Sequence, residues 1–280
     1  METQDKSRFS IITSTGGGYH FLKEKIRYIM PLVIPLVIMH VVFYALIEYV
    51  MSENANMFQI FLLRLPVTIY EAWLVCILSR YMIMGEDFSK LPSDPAYIHQ
   101  RRLNISAGVY IFILYTMLVF AFQHFVLDAV ESRLEEISAI VEQARLEGKK
   151  PHEITMPQND GGRNIVWMIT VISVWSFMFW SLRLMLLPMF VALGGGVKQY
   201  ISTMEGAMTS LRVLFTWILS AMPIIALFMF VSQGLYSSEG EIGAVGSFMI
   251  YVIQALMWAM FLVVKIGAFN TALQEIYQNQ

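Results

Sequence analysis

Six apolar stretches dominate the sequence, and each is long enough to cross a lipid bilayer as a helix. A helix needs about 20 apolar residues to span the hydrocarbon core, where no water can satisfy backbone polar groups. Of the 280 residues, 57% are hydrophobic and 14% are charged, whereas roughly 25% are charged in soluble domains. The sequence therefore predicts an all-α, polytopic transmembrane helical bundle with six spans, and it excludes a soluble globular protein. The predicted spans are residues 29–50, 58–84, 105–127, 165–187, 211–233 and 243–264.

Lysine and arginine side chains set the expected orientation, because connections rich in them stay in the cytoplasm. Most of these cations precede span 1 or lie in the connections that follow spans 2 and 4. We therefore expect both termini to be cytoplasmic. The chain then divides into a cytoplasmic N-terminal segment (1–28), spans 1–3 (29–127), an extracytoplasmic helix and loop (128–164), spans 4–6 (165–269) and a cytoplasmic C-terminal tail (270–280).

Two pairs of ionisable residues fall inside spans 1 and 2. In an antiparallel hairpin, residues at equal depth have a constant index sum, and His40 with Glu71 gives the same register, to within one residue, as Glu48 with Arg64. The first pair is expected near the membrane midplane and the second nearer the outer face. Two interpretations stay open: polar contacts that fix hairpin packing, which we favour, and a proton-linked site. Gln254 in span 6 is a further candidate hydrogen-bond partner.

Apolar residues beyond span 3 follow a heptad spacing. Val130, Leu134, Ile137 and Val141 alternate at intervals of four and three residues, which is typical of a helix with one buried seam. The sequence therefore predicts that span 3 continues as a helix outside the membrane. The seam either packs on the protein's own outer loops or, through residues 127–147, contacts a second copy or another membrane protein.

Five arginines gather where spans 2 to 5 meet the cytoplasm. One interpretation is that they set topology and extend toward lipid headgroups. The other is that they form a site for an anionic lipid headgroup or a phosphate. The five are Arg80, Arg101, Arg102, Arg183 and Arg212.

Motifs for enzymatic chemistry are absent from the sequence. It contains no GxxxxGK[ST], GxGxxG, HExxH, GxSxG or CxxC, so nucleotide, metalloprotease and hydrolase chemistry lack their usual residues. His124 with Asp128 would supply only two metal ligands. We expect no enzymatic activity, no cofactor, no metal and, with a net charge of -2, no nucleic-acid partner. The triple glycines at 16–18 and 194–196 lie in predicted cytoplasmic connections and are expected to be flexible joints.

Two stretches of the sequence carry a family resemblance. The first has an arginine and then a Gly-Glu turn at the end of span 2 (79–86), followed by paired arginines (101–103). The second has Arg-Leu and a proline (183–188), and then a segment that leads into span 5 (207–212). Both resemble the bacterial six-span membrane proteins of the YciC-like group and the related membrane domains of some glycerophosphodiester phosphodiesterases. The resemblance implies a helical bundle in a bacterial inner membrane without established enzymatic activity.

These features predict an integral inner-membrane protein of non-enzymatic type. We expect a scaffold or accessory subunit of a membrane assembly, with membrane lipid and a protein bound to the outer helix as its partners. The alternative is a small transporter or proton-coupled carrier built around the polar site between spans 1 and 2. The scaffold would depend on Leu134 and Ile137, whereas the carrier would depend on His40 and Glu71.

Overall fold

The structure is a computed structural model that describes residues 9–50, 57–87, 90, 92–146, 161–204, 207–236 and 244–278. The described residues form helices and no strands. Six of the helices found there are long and apolar enough to cross a membrane, which confirms the predicted all-α, six-span architecture. The helices are α1 (Ile11–Val50), α2 (Met57–Met84), α3 (Pro95–Leu146), α4 (Gly161–Leu184), α5 (Leu187–Ala192), α6 (Val197–Thr203), α7 (Ala207–Tyr236) and α8 (Ala244–Gln278).

The first and last helices are longer than the spans predicted from hydropathy. α1 begins at Ile11, inside the segment expected to be a separate N-terminal region, and α8 continues to Gln278 through most of the expected tail. Hydropathy falls where charged residues such as Lys23 and Lys25 begin, but lysine is a good helix former. The sequence pattern therefore located the apolar part of each helix and missed its ends.

α1 and α8 pack against each other in antiparallel directions. The backbone N–H of Ser10 donates to Glu275 Oε2 at 2.6 Å, near the start of α1 and the end of α8. Toward the other end of both helices, the hydroxyl of Tyr251 donates to Glu48. The two ends of the chain are thus held together through most of the length of these helices.

The first glycine run is a packing surface inside α1, and the expectation of a flexible joint there was wrong. A Cβ on Gly17 would lie 2.2 Å from Thr271 Oγ1, and a Cβ on Gly18 would lie 2.3 Å from the carbonyl oxygen of Val264. Gly267 faces them from α8, where an added Cβ would lie 2.8 Å from the Cα of Gly18. Small residues at such positions let two helix backbones approach closely.

The second glycine run forms a defined turn between α5 and α6. Gly194 has φ +95°, a left-handed conformation that favours glycine. Its N–H donates to Val191 O at 2.9 Å, and the N–H of Gly195 donates to Phe190 O at 3.1 Å. These two bonds are the Schellman arrangement that ends a helix, so this run also is not a flexible joint.

The chain divides into two compact units, one formed by residues 1–115 with 182–280 and the other by residues 116–181. In the second unit, the rings of Phe122 and Phe177 stack with their centroids 3.7 Å apart. α3 is helical without interruption to Leu146, which agrees with the predicted continuation of span 3.

Candidate functional site

The first unit contains a buried polar site built on α1, α2 and α8. His40 Nε2 lies 3.0 Å from Glu71 Oε1, and their side chains are only 2% and 6% exposed. The structure therefore brings together the two residues that the index sum places at equal depth. A buried carboxylate at membrane depth needs partners of this kind, because an uncompensated charge there is costly.

Trp258 of α8 is the second partner of this carboxylate, and no feature of the sequence predicted it. Its indole Nε1–H donates to Glu71 Oε1 at 2.5 Å. The expected donor from this helix was Gln254, one turn earlier. Tryptophan is common in apolar spans for packing alone, so no sequence signal distinguished Trp258 from its neighbours.

Aromatic rings enclose the imidazole of His40. Tyr44, one turn further along α1, stacks on it with ring centroids 5.9 Å apart, and Trp258 meets it edge-on at 6.3 Å. His40 Nδ1 is buried without a hydrogen-bond partner among the described residues. Among the described residues, the ring is therefore held through Nε2 alone, by its contact with Glu71 Oε1.

The second predicted pair does not meet. Within the part of the chain that the structure describes, Glu48 and Arg64 form no ion pair with each other. Glu48 accepts a hydrogen bond from Tyr251, and the Arg64 guanidinium lies 5.6 Å from the centroid of the Trp258 ring. Both partners belong to α8, whose position beside α1 and α2 a hairpin register cannot reveal.

A second polar cluster forms where α2 ends, and it centres on the Glu86 carboxylate. Arg80 donates to it twice, from Nε at 2.7 Å and from Nη2 at 2.9 Å. Arg101 donates from Nε at 2.9 Å, and the hydroxyl of Tyr97 donates as well. Arg80 Nη1 also donates to the carbonyl of Ala192 at 2.6 Å. Glu86 therefore connects the end of α2 with the start of α3, and Arg80 connects both with the end of α5.

The charge of Glu86 is held by these donors. Burial alone would raise the pKa of the Glu86 carboxyl, but the hydrogen bonds from Arg80, Tyr97 and Arg101 lower that pKa to about 2. Gly85, with φ +67°, makes the left-handed turn that ends α2 directly before Glu86. The cluster explains Arg80, Glu86 and Arg101, three residues of the stretches 79–86 and 101–103, as structural contacts.

The five arginines therefore have different surroundings. Arg80 and Arg101 are buried against Glu86, whereas the side chain of Arg102 is exposed. Arg183 Nε donates to Ser210 Oγ at 2.6 Å. Arg212 has a buried Nη1 with no hydrogen-bond partner among the described residues.

Tyr200 of α6 also contacts the end of α4 at Arg183. Its hydroxyl donates to the carbonyl of Arg183, and burial raises the pKa of this tyrosine. Tyr200 therefore remains a neutral hydrogen-bond donor that fixes the end of α4.

The predicted partner-contact residues lie on α3, and their side chains are outside the part of the chain that the structure describes. The backbone at Val130, Leu134, Ile137 and Val141 is helical, and nothing further is assigned to these side chains. Elsewhere among the described residues, no three His, Cys, Asp or Glu side chains gather as a metal ion would require.

Comparison with known proteins gives no functional assignment. No protein-family model, no curated protein and no solved structure matches this chain. The resemblance to the YciC-like group stays a prediction, and the function has to be inferred from the chain's own geometry.

Proposed function

We propose that this protein is a non-enzymatic scaffold or accessory subunit of a membrane assembly. The observation that carries the proposal is the length of α3. Its candidate membrane span covers Pro95–Val126, and the same helix then continues to Leu146. Residues 127–146 add about 30 Å at 1.5 Å per residue. A rigid extension of this size, with heptad-spaced apolar residues, suits contact with another protein.

The first unit, which does not include residues 127–146, also supports a scaffold by its close packing. α1 and α8 approach too closely at Gly17 and Gly18 for any larger side chain. The end of α2, the start of α3 and the end of α5 are joined through Glu86 and Arg80. These contacts suit a firmly packed membrane-embedded unit.

A bacterial inner membrane, with both termini in the cytoplasm, is the proposed setting. The cation distribution supports this orientation through the positive-inside rule. Contacts of Arg80 and Arg101 with Glu86 gather several of these cations at one end of the first unit. The resemblance to the YciC-like group supports the bacterial setting.

The test is whether a complex depends on the outer seam. Leu134→Glu with Ile137→Glu places charges on the seam, and Ser138→Glu places one on an exposed neighbouring position. Native mass spectrometry after gentle extraction should show a stoichiometric complex for the parent and Ser138→Glu, and its loss for the double variant. A complex that survives the double substitution would refute contact through this seam.

The alternative, a proton-coupled carrier, is favoured by the buried contact of His40 with Glu71, since ionisable groups at membrane depth often mark transport paths. The low exposure of both side chains and the lack of a partner for His40 Nδ1 among the described residues suit a packing role better. A carrier should lose transport in Glu71→Gln while it keeps its assembly state. A scaffold should instead keep its complex in this variant and lose only stability.

A further inference from the structure

A groove with charged residues along one wall lies between α1, α2 and α8, next to the point where α2 ends. Its volume is about 740 Å³, and its lining includes His20, Glu24 and Lys25 of α1, Gly85 directly after α2, and Gln274 of α8. None of these residues belongs to the buried contact of His40 with Glu71. The groove therefore needs an explanation of its own.

The position of the groove points to the membrane boundary. Tyr81 and Met82 line it from the end of the candidate span Phe58–Met84, and Gly85 lines it directly after that span. The apolar span ends there, and phospholipid headgroups occupy the zone directly beyond the hydrocarbon core.

The charges along one wall suit a ligand that carries both signs. Lys25 supplies a cation, and His20 Nε2 lies 3.1 Å from the Glu24 carboxylate with both side chains more than half exposed. The last turn of α2 adds the negative end of a helix dipole. A purely anionic headgroup would be repelled by Glu24 and by this helix end, whereas a phosphate joined to an ammonium group would meet both signs.

Glycines keep the groove open. A Cβ on Gly16 would meet no atom within 4 Å, and the same holds for Gly85. Gly16 lines the groove, so a side chain added there would enter the space that a ligand needs.

We propose that this groove binds the headgroup of a zwitterionic phospholipid with a primary ammonium group. Lys25 and His20 face the phosphate. Glu24 and the carbonyls at the end of α2 accept hydrogen bonds from the primary ammonium. A quaternary ammonium has no N–H and cannot donate such bonds. The headgroup chemistry is that of phosphoethanolamine, and the proposal is independent of the scaffold function.

The first experiment fills the groove. Gly16→Leu adds a side chain inside it, and Gly196→Leu is the matched control, since its Cβ also meets nothing within 4 Å and it lies outside the groove. Native mass spectrometry after exchange into detergent with phosphatidylethanolamine should show one retained lipid for the parent and the control. Gly16→Leu should lower that retention about tenfold. Equal retention in all three proteins overturns the proposal.

The second experiment tests the chemistry of the headgroup. The parent should retain phosphatidylethanolamine over phosphatidylcholine and phosphatidylglycerol, and Glu24→Gln should remove the preference over phosphatidylglycerol. Tighter binding of phosphatidylglycerol by the parent would overturn the zwitterionic assignment. Free phosphoethanolamine should not displace the lipid, because acyl chains supply much of the binding energy. Displacement would show that the ligand is soluble and would overturn the lipid assignment.

Discussion

A Cβ added to Gly18 of α1 would lie 2.3 Å from the carbonyl oxygen of Val264 in α8. A backbone atom cannot move aside as the end of a flexible side chain can. The two helices therefore pack at a distance that only glycine permits at this position.

Gly18→Ala should force α1 and α8 apart and destabilise the protein by about 1–3 kcal/mol, the usual cost of overpacking. Gly16→Ala is the matched control, because its Cβ meets open space and alanine favours helix by about 1 kcal/mol over glycine. Thermal unfolding in detergent should show a lower midpoint for Gly18→Ala and an equal or higher one for Gly16→Ala. Equal midpoints for the two variants would show that the close approach does not limit stability.

His40→Ala should destabilise the protein strongly, by about 3–5 kcal/mol, because it leaves the buried Glu71 carboxylate without one of its two donors. His20→Ala is the control, since His20 also contacts a glutamate but its side chain is 67% exposed. Its loss should cost under about 0.5 kcal/mol. Chemical unfolding in detergent compares the two, and similar losses would argue against a packing role for His40.

The Glu86 cluster should make the free energy of unfolding depend on pH under acidic conditions. The pKa of Glu86 is about 2 in the folded protein, against an ordinary value of 4.5. A lowered folded pKa stabilises the fold fully above the ordinary value, and this contribution is lost as the pH falls from about 4.5 toward 2. The stability difference between the parent and Glu86→Gln should therefore be constant from pH 5 to 8 and should shrink below pH 4.5. A difference that does not change in acid would contradict this role of the carboxylate.

The two left-handed glycines should resist substitution. Gly85→Ala and Gly194→Ala place a Cβ at φ +67° and +95°, at a cost of roughly 1–2 kcal/mol each. Gly196→Ala is the control, because this residue has φ -84°. Unfolding midpoints should fall for the first two variants alone. Gly85→Asn should be milder than Gly85→Ala, because asparagine tolerates the left-handed region better.

The sequence predicted the contact between His40 and Glu71 because both residues lie on one hairpin, where helical register fixes relative depth. It did not predict Trp258 or the partner of Glu48, since both contacts come from α8, 187 and 203 residues away along the chain. Glu86 was also missed as the centre of its cluster. An acidic residue after a helix is common, and nothing local shows that Arg101 and Ala192 converge on the same point.

The glycine runs also show where prediction from local sequence fails, because here the sequence pattern predicted flexibility and the structure shows defined packing. Glycine lowers helix propensity, so local rules favour a joint at 16–18. Only the packing of α8 against α1 makes this run a helical contact surface. The left-handed conformation of Gly194 (φ +95°) likewise depends on where α5 ends and α6 begins.

The sequence by itself determined that the chain is an all-α membrane protein with six spans. A bilayer leaves backbone groups only their own helix as hydrogen-bond partner, so apolar length suffices to predict a span. Tertiary structure decided which polar side chains meet, which glycines pack and where the groove opens. These features depend on the relative placement of helices distant in sequence, and that placement is set by side-chain packing rather than by any local pattern.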